Sequence, residues 1–174
     1  MREECPHCGH KLVSPSGPMQ SPVLLIGEFP GVEEIRYGLP FVGKAGEVLK
    51  TEMAELGFDY NSCRVTNLWL HMKPKDKEIV KRELEWHAER MFAEMKGRKA
   101  ILLMGSELSA FFLHAPLMEN LGIIITKRPQ LSKYAAFVMV APNPALLLQR
   151  GAVVGEFRFA LESFVREVKR RKIL

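Results

Sequence analysis

The chain has 174 residues, 47% hydrophobic and 26% charged, a balance that fits one globular domain and excludes a disordered chain or two ordinary domains. Its net charge of +5 mildly favours an anionic partner. No apolar run reaches membrane-spanning length and the Met-Arg-Glu-Glu start lacks the apolar stretch of a signal peptide, so a cytoplasmic protein without a membrane partner is expected.

Residues 1–20 read as a Cys-x-x-Cys knuckle and a Ser/Pro/Gly linker, and residues 21–174 as the body on which the knuckle packs, one domain overall. Three cysteines make no disulfide framework, whereas Cys5-Pro6-His7-Cys8-Gly9 has the form of a metal-binding turn. Pro22–Ile26 is the first predicted strand, followed by a long acidic loop rich in Gly and Pro. A helical period over Gly46–Leu56 closes at Gly57. Arg64–Leu70 reads as a second strand and Asp76–Met95 as an amphipathic helix with Ile79, Leu84 and Met91 inside. Ala100–Met104 is a third strand, and Gly105-Ser106 opens a helix through Leu113. Ile123–Thr126 and Phe137–Ala141 are two further strands, and the last helix runs from Val154 to about Arg170.

Strands alternating with helices predict an α/β fold, a three-layer α/β/α sandwich around a mostly parallel sheet of four or five strands. Ligands of such sheets sit at the carboxyl ends of the strands. Three unusual segments fall there: the loop Gly27–Gly43, Asn67, and the stretch APNPALLLQR that ends at Arg150.

Gly27-Glu28-Phe29-Pro30-Gly31 resembles the first motif, Gly-Glu-Ala-Pro-Gly, of family 4 of the uracil-DNA glycosylase superfamily. The family's Gly-x-Pro-Phe-Val-Gly-x-Ala-Gly is matched by Gly38-Leu39-Pro40-Phe41-Val42-Gly43-Lys44-Ala45-Gly46, and its Thr-Asn by Thr66-Asn67. AILLMGSELSAFFL resembles its strand–Gly–helix segment, and Asn143-Pro144-Ala145 stands at its last motif, His-Pro-Ser. The resemblance spans residues 5 to 165, with every motif in order. It implies a protein that flips uracil or a related base out of DNA into a pocket and hydrolyses the N-glycosidic bond.

The resemblance also assigns roles. Phe41 is the floor on which the base stacks, or on its own residue type a buried phenylalanine closing the loop. Asn67 carries a donor and an acceptor for the uracil edge, or is a strand-end asparagine in a turn. Glu28 positions water or opposes the sugar cation; Gly27 and Phe29 flank it in the pocket wall. Glu33 and Glu34 read as solvated charges. Leu147 and Leu148 stand where the superfamily places a residue that wedges into the duplex, although leucines at this spacing also suit a core. Lys44, Arg150 and the run Lys169–Lys172 are candidates for phosphate contacts.

Three residues depart from the family pattern. Asn143 replaces the histidine that stabilises negative charge on uracil O2, Ala145 replaces a serine, and Phe29 replaces an alanine. An asparagine amide still donates to that oxygen without carrying charge, and the mismatch-specific branch of the superfamily also has Asn-Pro here. The alternative function is therefore a glycosylase-fold module that has lost catalysis and binds DNA or a protein partner. The implied partners are uracil-containing or single-stranded DNA and replication or repair proteins, and the chain reads as a monomer.

Family 4 carries an iron–sulfur cluster on four cysteines. Here Cys5 and Cys8 match the first two, His71 stands at the third, and Glu83, Trp86 and His87 surround the fourth, while Cys63 lies away from the family position. A zinc site of Cys5, Cys8, His71 and His87 is the preferred reading, with His10 a further candidate ligand and a 4Fe–4S cluster the alternative.

Overall fold

A computed structural model describes residues 3–75, 77–126, 131, 135–149 and 153–174. The apolar runs form four parallel strands: β1 (Val23–Gly27), β2 (Arg64–Asn67), β3 (Ala100–Met104) and β4 (Phe137–Ala141), in spatial order β2-β1-β3-β4. Every residue of these strands is buried, as expected for a parallel sheet covered on both faces. The helices are α1 (Val32–Tyr37), α2 (Lys44–Glu55), α3 (Lys77–Met95), α4 (Ser106–Leu113) and α5 (Val154–Arg170).

Alternate strand residues face two separate cores. Val23, Leu25, Leu102 and Met139 point toward Leu49 and Met53 of α2 and Phe157, Leu161 and Phe164 of α5. Leu24, Ile26, Ile101 and Val138 point toward Met91 and Met95 of α3 and Leu108 and Phe112 of α4. This is the three-layer sandwich expected from the sequence, with four strands.

Three elements differ from expectation. Ile123–Thr126 does not form the expected strand: among the described residues, isolated bridges at Leu121–Val140 and Ile125–Val138 form beside β4, and Gly122 turns the chain at φ +63° between them. β2 stops at Asn67, the last residue in register with β1, although the Leu68 and Trp69 amides still donate to the Gly27 and Glu28 carbonyls just beyond it. The acidic loop contains the short helix α1, which ends at Gly38 in the left-handed region that favours glycine. Asp76 and Arg150 lie outside the described residues.

β1 is followed by a neighbour on one side and, after the next crossover, by β3 on the other. The strand order therefore reverses at β1, which opens a crevice beyond the carboxyl ends of β1 and β3.

The linker is fastened to the sheet by charge. Arg64 donates Nε and Nη2 to the two Glu94 carboxylate oxygens, each at 2.9 Å, and Nη1 to the Gly17 carbonyl at 2.9 Å. Arg98 adds a bond to Glu94 at 3.2 Å and others to the Met19 and Ser21 carbonyls at 2.7 and 2.6 Å. The Arg64 fork holds the Glu94 carboxyl below its ordinary range, outweighing the opposing effect of burial. A carboxyl depressed in the folded state contributes stability above its unfolded pKa and loses it as the pH falls through the folded one. Glu94→Gln is expected to lower the unfolding free energy by about 1–3 kcal/mol at neutral pH. The gap from the parent should narrow progressively below about pH 4.3. Denaturant unfolding of both proteins at neutral and acid pH checks this; a gap unchanged by acid counts against it.

Candidate active site

Glu28, the first residue after β1, is almost buried in the crevice. Its Oε1 accepts the Glu107 backbone N–H from the first turn of α4 at 2.8 Å, and its Oε2 accepts Asn143 Nδ2–H at 2.8 Å. The loops after β1, β3 and β4 therefore meet on one carboxylate. Gly105 makes the approach possible: it sits at φ +136°, and a Cβ there would lie 2.1 Å from Glu28 Cδ. The Glu107 carboxylate accepts Trp69 Nε1–H at 3.1 Å and Lys73 Nζ–H at 2.7 Å, which anchors the start of α4.

Asn143 caps the 3₁₀ turn Pro144–Leu148, its Oδ1 accepting the Ala145 N–H at 2.9 Å. That bond determines which end of the amide faces Glu28. One Nδ2–H goes to Glu28, and the amide has a second.

The opposite wall is built by close approach. Asn67, the last residue of β2, is buried and in register with Gly27 at the end of β1. A Cβ on Gly27 would stand 2.4 Å from Asn67 Oδ1 and 2.7 Å from Phe41 Cζ, so the missing side chain is what lets the amide and the ring share the space. Phe41 is buried in the left-handed region at φ +53°, rare for a bulky residue, and its carbonyl lies against Gly46, where a Cβ would be 1.9 Å away.

Glu34 differs from the solvated charge expected of it. It is buried, and its two carboxylate oxygens accept the Gly31 N–H at 3.0 Å and the Gly43 N–H at 2.7 Å. This one side chain ties together both ends of the segment that delivers Phe41. Glu33 is exposed, as expected.

These residues surround a cavity of about 310 Å³ lined by Gly27, Glu28, Phe29, Phe41, Lys44, Asn67, Asn143 and Leu148, a volume in the range of small-ligand sites. Phe29 is 44% exposed and Leu148 50% exposed, whereas Leu147 packs against the α2–α5 core. Lys44 is exposed at the first position of α2. The basic run Lys169–Lys172 is remote from the crevice, with Lys169 donating to the Leu56 carbonyl at the opposite end of α2.

A second cluster lies under α3. Cys5 Sγ, Cys8 Sγ, one His71 nitrogen and one Glu83 carboxylate oxygen all stand within 4.8 Å of one another, a set able to hold a metal ion. Cys8 Sγ is 3.5 Å and a Glu83 oxygen 3.4 Å from His71 Nε2. Glu83 is fully buried, and neither oxygen has a hydrogen-bond partner among the described residues. Burial, together with the Cys5 and Glu83 groups, pushes the Cys8 thiol up to about 11. His87 stands beside the set, its Nε2 3.0 Å from His71 Nε2, and burial first, then the His71, Arg90 and His7 charges, lowers its pKa to about 3. His10 reaches Cys8 Sγ with Nδ1 at 3.0 Å. Cys63 lies in the α2–α5 core on the other side of the sheet, its thiol pushed up to about 12 by burial.

A model of the uracil DNA glycosylase superfamily matches residues 14–165. The chain belongs to the uracil-DNA glycosylase superfamily. It is 28% identical over 170 residues, 93% of the chain and 87% of the relative, to a type-4 uracil-DNA glycosylase of Pyrobaculum aerophilum. A second type-4 uracil-DNA glycosylase, of Archaeoglobus fulgidus, is 30% identical over 69 residues, 40% of this chain and 35% of that protein.

In this superfamily member the structure adds Gly105 and Glu107 to the crevice and Glu34 behind it. Gly105 had a signal, a glycine between a strand and a helix. Glu34 had a weaker one, a carboxylate three residues after Gly31, the spacing that lets a side chain reach back to the amide before its helix. Glu34→Ala is expected to lower stability by about 1–3 kcal/mol by leaving two amides without their acceptor. Hydrogen exchange at the Gly31 and Gly43 amides should accelerate in the variant; unchanged protection at Gly43 would show that the bridge carries no weight.

Proposed function

We propose that this protein removes uracil, or a base presenting the same edge, from DNA by hydrolysis of the N-glycosidic bond. One observation carries the reading: Glu28 is clamped on one side of a crevice whose opposite wall is Phe41 and Asn67. A flipped base stacked on Phe41 presents O4 and N3–H to the Asn67 amide, which offers one donor and one acceptor. Water adds to C1′ as the bond to the base nitrogen breaks; the electron pair leaves with the base, and the proton lost by the water ends on the released base. Glu28 has the sign to orient that water and to oppose the positive charge that develops on the sugar. The second Nδ2–H of Asn143 is available to the developing charge on uracil O2, and a pre-aimed donor of this kind contributes roughly 10²–10³ in rate. Lys44 meets a phosphate at the rim, and Leu148, the exposed leucine of the pair, fills the gap left in the duplex.

Two observations favour the binding-module reading. Asn143 is neutral and already engaged with Glu28, and Phe29 adds a ring at the cavity mouth. Incubation with a uracil-containing single strand, then alkali, separates the readings. Strand cleavage supports the enzyme; tight binding without cleavage over a long incubation favours the module. Gly27→Ala should abolish excision and lower the unfolding free energy by about 1–3 kcal/mol, because its methyl group collides with Asn67 and Phe41. Asn67→Ala should abolish excision while leaving the protein folded, by removing the reading edge. Normal rates in either variant would refute the pocket assignment.

Within this proposal the knuckle holds one zinc ion. A four-thiolate cluster does not fit the donors at hand: only two thiols are present in the set, and the third cysteine is across the sheet. Two thiolates, an imidazole and a carboxylate are ordinary zinc ligands, and a closed set of four marks a structural ion.

A further inference from the structure

Resting on that zinc reading, we infer that Glu83 is the fourth ligand of the ion and that His87 packs edge-on against the His71 ring without binding the metal. Ligands at about 2.0–2.3 Å from one tetrahedral ion stand roughly 3.3–3.8 Å from each other. The His71 nitrogen is 3.4 Å from a Glu83 oxygen and 3.5 Å from Cys8 Sγ, so these two pairs have the spacing that a shared ion imposes, and all four donors lie within 4.8 Å of one another. The thiolates of a four-iron cluster each take a separate iron and stand farther apart.

Glu83 is hard to explain otherwise. It is fully buried and, among the described residues, neither oxygen has a hydrogen-bond partner; Arg82 lies 3.7 Å from the oxygen that does not face His71. A buried carboxylate without hydrogen bonds is costly, and a cation facing it removes the cost.

His87 is excluded by its protons. Its Nδ1 accepts the Leu70 N–H at 3.3 Å, which places the proton of the neutral ring on Nε2. That N–H faces His71 Nε2, so His87 presents no lone pair to the set. His71, by contrast, donates Nδ1–H to the Met72 carbonyl at 2.8 Å and keeps its Nε2 lone pair for the ion, which displaces the His87 hydrogen bond. An imidazole fixed through its other nitrogen is the usual state of a metal-bound histidine.

The full-length protein, stripped of metal and reloaded with cobalt(II), reads the ligand set directly. The purified parent should contain one zinc per chain and no acid-labile sulfide, and its cobalt form should show the intense visible bands of a four-coordinate ion. Glu83→Gln should weaken cobalt binding by about 100-fold or more, whereas His87→Gln, with no hydrogen bond to a ligand once the ion is bound, should stay below the roughly 10–100-fold cost of losing an outer hydrogen-bonding partner and keep the band pattern. If Glu83→Gln does not fold, Glu83→Cys decides: thiolate-to-cobalt absorption should rise in proportion to three sulfurs against two. An unchanged Glu83→Cys spectrum, or loss of metal in His87→Gln alone, overturns the assignment while leaving the zinc reading intact. Stoichiometric iron with sulfide in the parent overturns the zinc reading itself and this inference with it.

Discussion

The hydrogen bonds on Glu28 join three parts of the chain that lie far apart in sequence. Each oxygen takes an N–H from a different strand-end loop, the α4 amide after β3 and the Asn143 amide after β4. Parallel strands make this convergence possible, because all of them deliver their outgoing loops to one end of the sheet. The reversal of strand order at β1 then leaves a gap there instead of a packed surface. Loss of any contributor is felt by the others. Gly105 is forced by the carboxylate's position, Glu107 by its bonds to Trp69 and Lys73, and Asn143 by the turn it caps.

The knuckle and the crevice share one wall. His71 follows Asn67 by four residues, and the Trp69 ring between them lies 4.9 Å from the His87 ring while its N–H reaches Glu107. The apolar support under the knuckle is small, Cys5, Leu12 and Leu70 with Trp86 against them, which is little to hold a terminal segment in place. An ion held at the thiols would do structural work that the core does not, close to the segment that follows β2 and Asn67.

Much of this was legible before any coordinates. The four strands announced themselves as continuous apolar runs because both faces of a parallel sheet are buried, and the motif order located the crevice. The failures have specific causes. Ile123–Thr126 has strand-forming residues, but a turn at Gly122 prevents continuous pairing. Glu34 looked like a solvent charge because its acceptors' partners are backbone amides, which are invisible in residue types. The same holds for Glu107, whose backbone N–H is what touches Glu28. Glu83 precedes His87 by one helical turn, so both face the knuckle, and spacing alone does not choose between them. The proposed choice of Glu83 rests on where the protons and hydrogen bonds of the two side chains lie.

Phe41 carries a cost that the rest of the pocket does not. A left-handed backbone at a residue with a large side chain costs roughly 1–2 kcal/mol, which glycine would not incur. Burial of the ring outweighs it, since emptying a buried phenylalanine site costs roughly 3–5 kcal/mol. A glycine here would relax the backbone and leave a void beside Gly27 and Asn67, a net loss. The ring thus holds its own backbone in a conformation the residue would not choose, and the shape of the cavity wall is fixed by packing.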